Sequence, residues 1–215
     1  LFSGSNRMLS DTPVPATRAN VERAIATIDN LRAGGSTEIV PALERIAALP
    51  KSAEVARTVI VVTDGYVTVE DRVFALVRKN LGNSNVFAFG IGSSVNRHLI
   101  EGIARAGQGE PFVVTKPALA AAQAERLRKM IDAPVLTSVR ARFDGLDVYD
   151  VEPARLDALP DVLGGRPVAL FGKWRGEPKG QLVLDGRAAS GDWQQVVPVA
   201  TPDPDAQALR LLWAR

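Results

Sequence analysis

Asp64 closes the run Arg57-Thr-Val-Ile-Val-Val-Thr-Asp64-Gly65, and its carboxylate is the first group in this chain with chemistry to offer. A Val/Ile run of that kind suits a parallel strand buried on both faces, which puts Asp64 in the loop at the strand's carboxyl end. In open α/β sheets, ligands bind at those ends. A carboxylate there suits Mg²⁺, a hard ion that takes oxygen ligands in octahedral geometry and keeps several waters. Asp64-Gly65 also reads as a plain turn, the carboxylate holding a backbone N–H and the glycine adopting positive φ. Earlier in the chain, Gly34-Gly-Ser-Thr37-Glu-Ile39 carries the hydroxyls of Ser36 and Thr37. With Glu38 they suit the start of a helix, where a hydroxyl satisfies a free backbone N–H.

Little else could react. His98, the single histidine, follows Gly92-Ser-Ser-Val-Asn96 at a helix start with no matched base beside it, and reads as a polar helix residue. Ser93 and Ser94 come after Gly90-Ile-Gly92, but neither the Gly-x-Gly-x-x-Gly spacing nor a P-loop lysine accompanies them, so a phosphate cradle is poorly supported. Asp203 and Asp205 alternate with Pro202 and Pro204 as a solvated turn, not as general acid and base. No nucleophile is paired with a base, and the chain reads as a non-enzyme. The absence of cysteine excludes disulfides, thiol catalysis and cysteine-ligated metal.

Apolar periodicity supplies the elements that would position these groups. Thr17 caps a helix with Val21, Ala24, Ile25, Ile28 and Leu31 on one face, expected to pack on a sheet and to end at Gly34-Gly35. A second helix over 38–49 presents Ile39, Leu43, Ile46 and Ala47 and stops at Pro50. Strand 58–63, helix 70–81, strand 85–91, helix 96–106, strand 111–114 and helix 118–131 follow. That alternation predicts an open, mostly parallel α/β sheet with helices on both faces, over residues 1–132. From Pro134 the period becomes two, at Val139, Ala141 and Phe143 and again at Leu146, Val148 and Val151. Further strands are expected at 168–171, 180–184, 193–199 and 208–213, giving an all-β, sandwich-like domain over 133–215 with Trp174 and Trp193 filling its core and Trp213 buried or covered in the parent by a neighbouring domain.

The Gly34–Ile39 segment, the Arg57–Gly65 segment and Val86-Phe-Ala-Phe-Gly-Ile-Gly92, in this order, resemble the von Willebrand factor A domain. The resemblance implies a metal ion-dependent adhesion site with Thr37 and Asp64 as ligands and Ser36, Gly65 and Ser93 as supporting loop residues. It also implies a third part, Asp-x-Ser-x-Ser, which this sequence does not match: in Leu1-Phe-Ser3-Gly4-Ser5 the Asp position holds Leu1. The stretch from Ser5 to Thr37 is too short for the helix and two strands expected between those parts. Phe2 to Ser5 is therefore read as the end of the family's second strand and its turn, with the chain expected to begin inside the domain, without the first strand and first helix. Mg²⁺ (or Mn²⁺ or Ca²⁺) is expected in a complete parent protein, and weak binding or none in this chain. The second half is similar to the β-rich segment of VIT-plus-von Willebrand A proteins, such as the inter-alpha-trypsin inhibitor heavy chains and their bacterial relatives. It carries that likeness in Asp150-Val-Glu-Pro153, Arg166-Pro-Val-Ala-Leu-Phe-Gly172 and Leu212-Trp-Ala-Arg215, past which those relatives continue.

What this implies is a non-enzymatic protein-binding or adhesion module whose partner's acidic side chain completes the metal's coordination, located in the periplasm, at the cell surface or outside the cell. The alternative is a structural or assembly module with a degenerate site and no metal. Composition fits either reading. The 215 residues are 46% hydrophobic and 23% charged, enough apolar material for one large or two modest cores. A net charge of +2, with basic residues scattered among acids, gives no electrostatic case for nucleic acid. No apolar stretch reaches the roughly 18 residues of a membrane span. Arginine outnumbers lysine and the helices are alanine-rich, which points to a bacterium of high genomic GC, and apolar surface at cut ends predicts self-association.

Overall fold

The computed structural model describes Phe2 and residues 7–31, 35–50, 57–65, 67, 69–80, 84–132 and 135–199. The chain divides into two compact units, Leu1–Ala121 and Ala122–Arg215. The first runs α1 (Arg18–Asp29), α2 (Ile39–Ala48), β1 (Arg57–Thr63), α3 (Glu70–Asn80), β2 (Ser84–Ile91), α4 (Arg97–Ala106) and β3 (Gln108–Val114). Its strands form a parallel sheet in the order β1-β2-β3, with Arg57 opposite Ser84 and Thr63 opposite Gly90. Parallel neighbours need a crossover between them, and α3 and α4 provide the two crossovers. α4 lies on β2 and β3, and α3 packs between α2 and α4.

One core joins these elements: Ile39 and Leu43 of α2, Val73 and Val77 of α3, Leu99, Ile100 and Ile103 of α4, and Val59, Val61, Val86 and Ala88 of the strands. Phe2 packs against it, as do Ile46 and Ala47. The other face of β2 and β3 holds Phe87, Phe89 and Phe112, all buried.

Two expectations are corrected here. β1 is not buried on both faces: burial alternates along it, and Ile60 and Val62 are 46% and 49% exposed. It is the edge of the three-strand sheet, whereas β2, with a neighbour on each side, is buried from Ser84 to Gly90. Nor does α1 pack on the sheet. The cap foreseen is present, Thr17 Oγ1 accepting the Asn20 N–H at 3.3 Å, but none of the helix's residues is buried and Val21, Ile25 and Ile28 stay exposed. Period 3.6 announces an apolar face without saying what covers it. Among the described residues of this unit, therefore, α2, α3 and α4 cover one face of the sheet and α1 covers neither.

The second unit takes in most of α5 (Ala120–Ile131), whose end lies by the β-rich chain: a Cβ on Gly164 would stand 3.1 Å from the Lys129 carbonyl oxygen. β4 (Thr137–Asp144), β7 (Gln181–Ala188) and β8 (Gly191–Pro198) form an antiparallel sheet in the order β4-β7-β8, and β5 (Asp147–Glu152) pairs with β6 (Phe171–Arg175). Val139, Ala141 and Leu159 centre its core. The strand expected over 168–171 begins only at Phe171, after Pro167, which has no N–H to give a ladder. The tryptophans also depart from expectation. Trp174 is 47% exposed, because it stands on a two-stranded ribbon, and it borders a cleft of about 170 Å³ with Leu146, Val148 and Leu182. Trp193 is half-buried, and the 208–213 strand with Trp213 lies outside the described residues.

Candidate functional site

Thr63, the last residue of β1, is buried, and its Oγ1 accepts the Gly65 N–H at 3.1 Å. This local hydrogen bond turns the chain off the strand and leaves Asp64 exposed at the turn. On the other side of the site, α2 starts at Ile39 with Glu38 at its N-cap and no side-chain capping bond. The Ser36 hydroxyl donates to the Glu38 carboxylate at 2.6 Å. Glu38, and not Thr37, thus stands at the N-cap position of α2.

Thr37 is pressed instead against Gly65. A Cβ built on Gly65 would lie 2.3 Å from Thr37 Oγ1 and 3.2 Å from its Cβ and Cγ2. Gly65 does not take positive φ, so the turn reading of this glycine is corrected: it is there for space. Gly65→Ala is expected to push the Thr37 side chain away from the Asp64 loop at a cost of about 1–3 kcal/mol, the usual range for overpacking. Thermal unfolding together with the Thr37 methyl resonance would check this; an unmoved methyl would contradict it.

The loop bearing Ser93 leaves the neighbouring strand. Gly90 is opposite Thr63, so Asp64 and Ile91 are the next residues along adjacent strands. Beyond them Gly92, at φ 117°, donates its N–H to the Val114 carbonyl at 3.0 Å. Ser93 is exposed in the turn, and Val95 folds back over Gly90, where a Cβ would come within 2.3 Å of Val95 Cγ1. His98, exposed on α4, presents its ring edge-on to Phe74 at 5.5 Å between centroids. Of the residues singled out from sequence, Thr37 and Gly65 thus touch, Asp64 adjoins them, Ser36 is engaged with Glu38, and Ser93 stands on the adjacent loop.

Two residues escaped sequence reading. Asn96 is buried; its Oδ1 accepts the Leu99 N–H at 3.1 Å to cap α4, and its Nδ2 donates to Glu70 Oε1 at 2.8 Å. An Asn just ahead of the Leu99, Ile100, Ile103 pattern was signal enough for the cap. Nothing local in sequence announces the bond to Glu70.

As a metal cradle the described residues are insufficient. Among them no three His, Cys, Asp or Glu side chains converge as a metal-binding group. Thr37 and Asp64 offer two hard oxygens, where a six-coordinate ion needs more, so the described residues do not fit a complete Mg²⁺ site.

The comparisons with known proteins agree on one family. Residues 2–111 match the model of the von Willebrand factor type A domain. The human von Willebrand factor A domain-containing protein 5A is 32% identical over 139 residues, covering 64% of this chain and 18% of that protein. Two von Willebrand factor A domain-containing proteins of Dictyostelium discoideum are 29% identical over 160 residues and 25% identical over 146, covering 74% and 68% of this chain. The chain spans only 8% and 15% of their lengths. The solved von Willebrand factor type A structure from Catenulispora acidiphila superposes with a TM-score of 0.60 at 17% identity, over 88% of this chain and 52% of that one, a likeness of fold. With the family model covering half of the sequence and the parallel sheet that the fold requires, this chain belongs to the von Willebrand factor type A domain family.

Proposed function

We propose that the chain is a non-enzymatic protein-recognition module whose binding surface is formed by the loops at the carboxyl ends of β1 and β2 and the loop before α2. The observation that carries this reading is the contact of Thr37 with Gly65, which brings the loop before α2 against the loop that carries the exposed Asp64. On this reading the oxygens of Thr37 and Asp64 are part of a divalent-ion site for Mg²⁺, Mn²⁺ or Ca²⁺, and the remaining ligands come from water, from an acidic side chain of the partner and from residues other than these. The second reading, a structural or assembly module with a degenerate site, is favoured by the failure of three metal-ligating side chains to converge among the described residues. Calorimetric titration with Mn²⁺ separates the two. Binding weaker than low micromolar that disappears in Asp64→Ala supports the first; the same heat in both proteins supports the second.

The strands of the second unit support placement among VIT-plus-von Willebrand A proteins, in which they would form a sandwich-like domain following the α/β domain near residue 132. An exported location, in the periplasm or at a cell surface, goes with that placement. None of the described helices is long and apolar enough to cross a membrane. The uncovered faces of α1 and β1 are where self-association would occur.

A further inference from the structure

Among the buried polar residues, Asn96 links two elements instead of serving one. Its carbonyl oxygen caps α4 and its amide donates to Glu70, the first residue of α3. α3 opens directly after the loop that carries Asp64, and α4 directly after the loop that carries Ser93, so the hydrogen bond fastens the far ends of the two loops together. Behind it the helices are held close. A Cβ on Gly102 would fall 2.2 Å from Phe74 Cζ, and the same Phe74 ring meets His98 edge-on. At their near ends the loops leave adjacent strands in register, Thr63 opposite Gly90. Each loop is thus fixed to the other at both ends.

We propose that Asn96 is a positioning residue that locks the Ser93 loop to the Asp64 loop through Glu70, so that the two present one preformed surface to a partner. This rests on the reading of these loops as the recognition site, though the lock itself can be tested without a partner. A preformed surface spares the ordering cost that two independent loops would incur on binding.

Asn96→Asp is the discriminating variant. Aspartate caps a helix as well as asparagine does, so α4 keeps its N-terminus, but the donor facing Glu70 becomes a second carboxylate. The double variant Asn96→Asp, Glu70→Gln restores a donor and acceptor with the roles reversed. Amide hydrogen exchange is measured on the whole chain without metal. The single variant is expected to exchange roughly tenfold faster both at Gly65, Val67 and Val69 and in the 92–96 segment, the scale of losing a hydrogen bond to a charged group, and the double variant to return towards the parent rate. Faster exchange confined to 92–96, or no recovery in the double variant, would overturn the lock. Mn²⁺ titration of the same proteins reports on the metal-site reading separately, because the exchange result requires no ion.

Discussion

Replacing Gly109 by alanine is expected to destabilise the α/β unit by about 3 kcal/mol, the upper part of the range for inserting a methyl into packed structure. The site is the pairing of β3 with the central strand, where the register shifts between Val86 and Ala88. A Cβ on Gly109 would stand 2.0 Å from the Val86 carbonyl oxygen, 2.5 Å from its carbon and 3.0 Å from the Phe87 nitrogen. These are backbone atoms of a strand held on both edges, so no side-chain rotation relieves the overlap; at Gly65, by contrast, the obstructing group is the mobile Thr37 side chain. β3 would have to move out, weakening the bond from the Val86 N–H to the Gly107 carbonyl at 2.8 Å. Since a whole domain is typically stable by about 5–15 kcal/mol, the midpoint of denaturant unfolding should drop clearly. Circular dichroism of the α/β unit, followed through urea, measures it; a midpoint equal to that of the parent would show that the strands can separate at little cost.

The second large effect concerns Phe87. It is fully buried, with the Phe112 ring 6.3 Å away, and Phe112 in turn stacks on Phe89 at 4.4 Å. Truncating it opens a cavity in this aromatic cluster, and Phe87→Ala is expected to cost about 3–5 kcal/mol. Ile60, its register partner on edge strand β1, is the control: it is 46% exposed, so Ile60→Ala should cost only about 1 kcal/mol, with part of the side chain already in water. Near-equal losses for the two substitutions would mean that the outer side of β1 is covered in solution. The comparison therefore also tests whether α1, or a second copy of the chain, lies there.

Most of the α/β architecture was legible because alternating period and punctuation leave few options. Asn85 to Ile91 was read as a strand and Asn96 to Ala106 as a helix, and both lie within a residue of their observed bounds. What sequence does not encode locally is which neighbour an element finds. The Val/Ile run of β1 looks more deeply buried than the Asn-Val-Phe-Ala-Phe run of β2, yet β2 is central and β1 is an edge. α1 has a regular apolar face with nothing described upon it. Trp174 is exposed for a similar reason, since a ribbon of two strands has only the layer it happens to meet.

The site was legible in part. Thr37 and Asp64 were named from loop chemistry and family likeness, and the contact of Thr37 with Gly65 brings their loops together. The role of Gly65 was misjudged because a glycine after aspartate is the ordinary sign of a turn needing positive φ, while close approach leaves no mark in the sequence. The Asn96–Glu70 bond was missed on the same grounds: it joins residues 26 positions apart, and their types would suit helix starts without it.

The β7–β8 pairing has a bearing on the order of events as the chain gains its structure. Ala188 lies opposite Gly191, so these strands meet across a two-residue connection, with Gly191 at φ 123°. Such a hairpin closes in about 1–10 μs. In the first unit each strand must wait for a partner on the far side of an entire helix, and the loop-closure entropy is spent before any cross-strand bond forms. During that interval the Val/Ile-rich β1 has both edges open and remains an attachment point for other chains, while the β7–β8 ribbon is already complete.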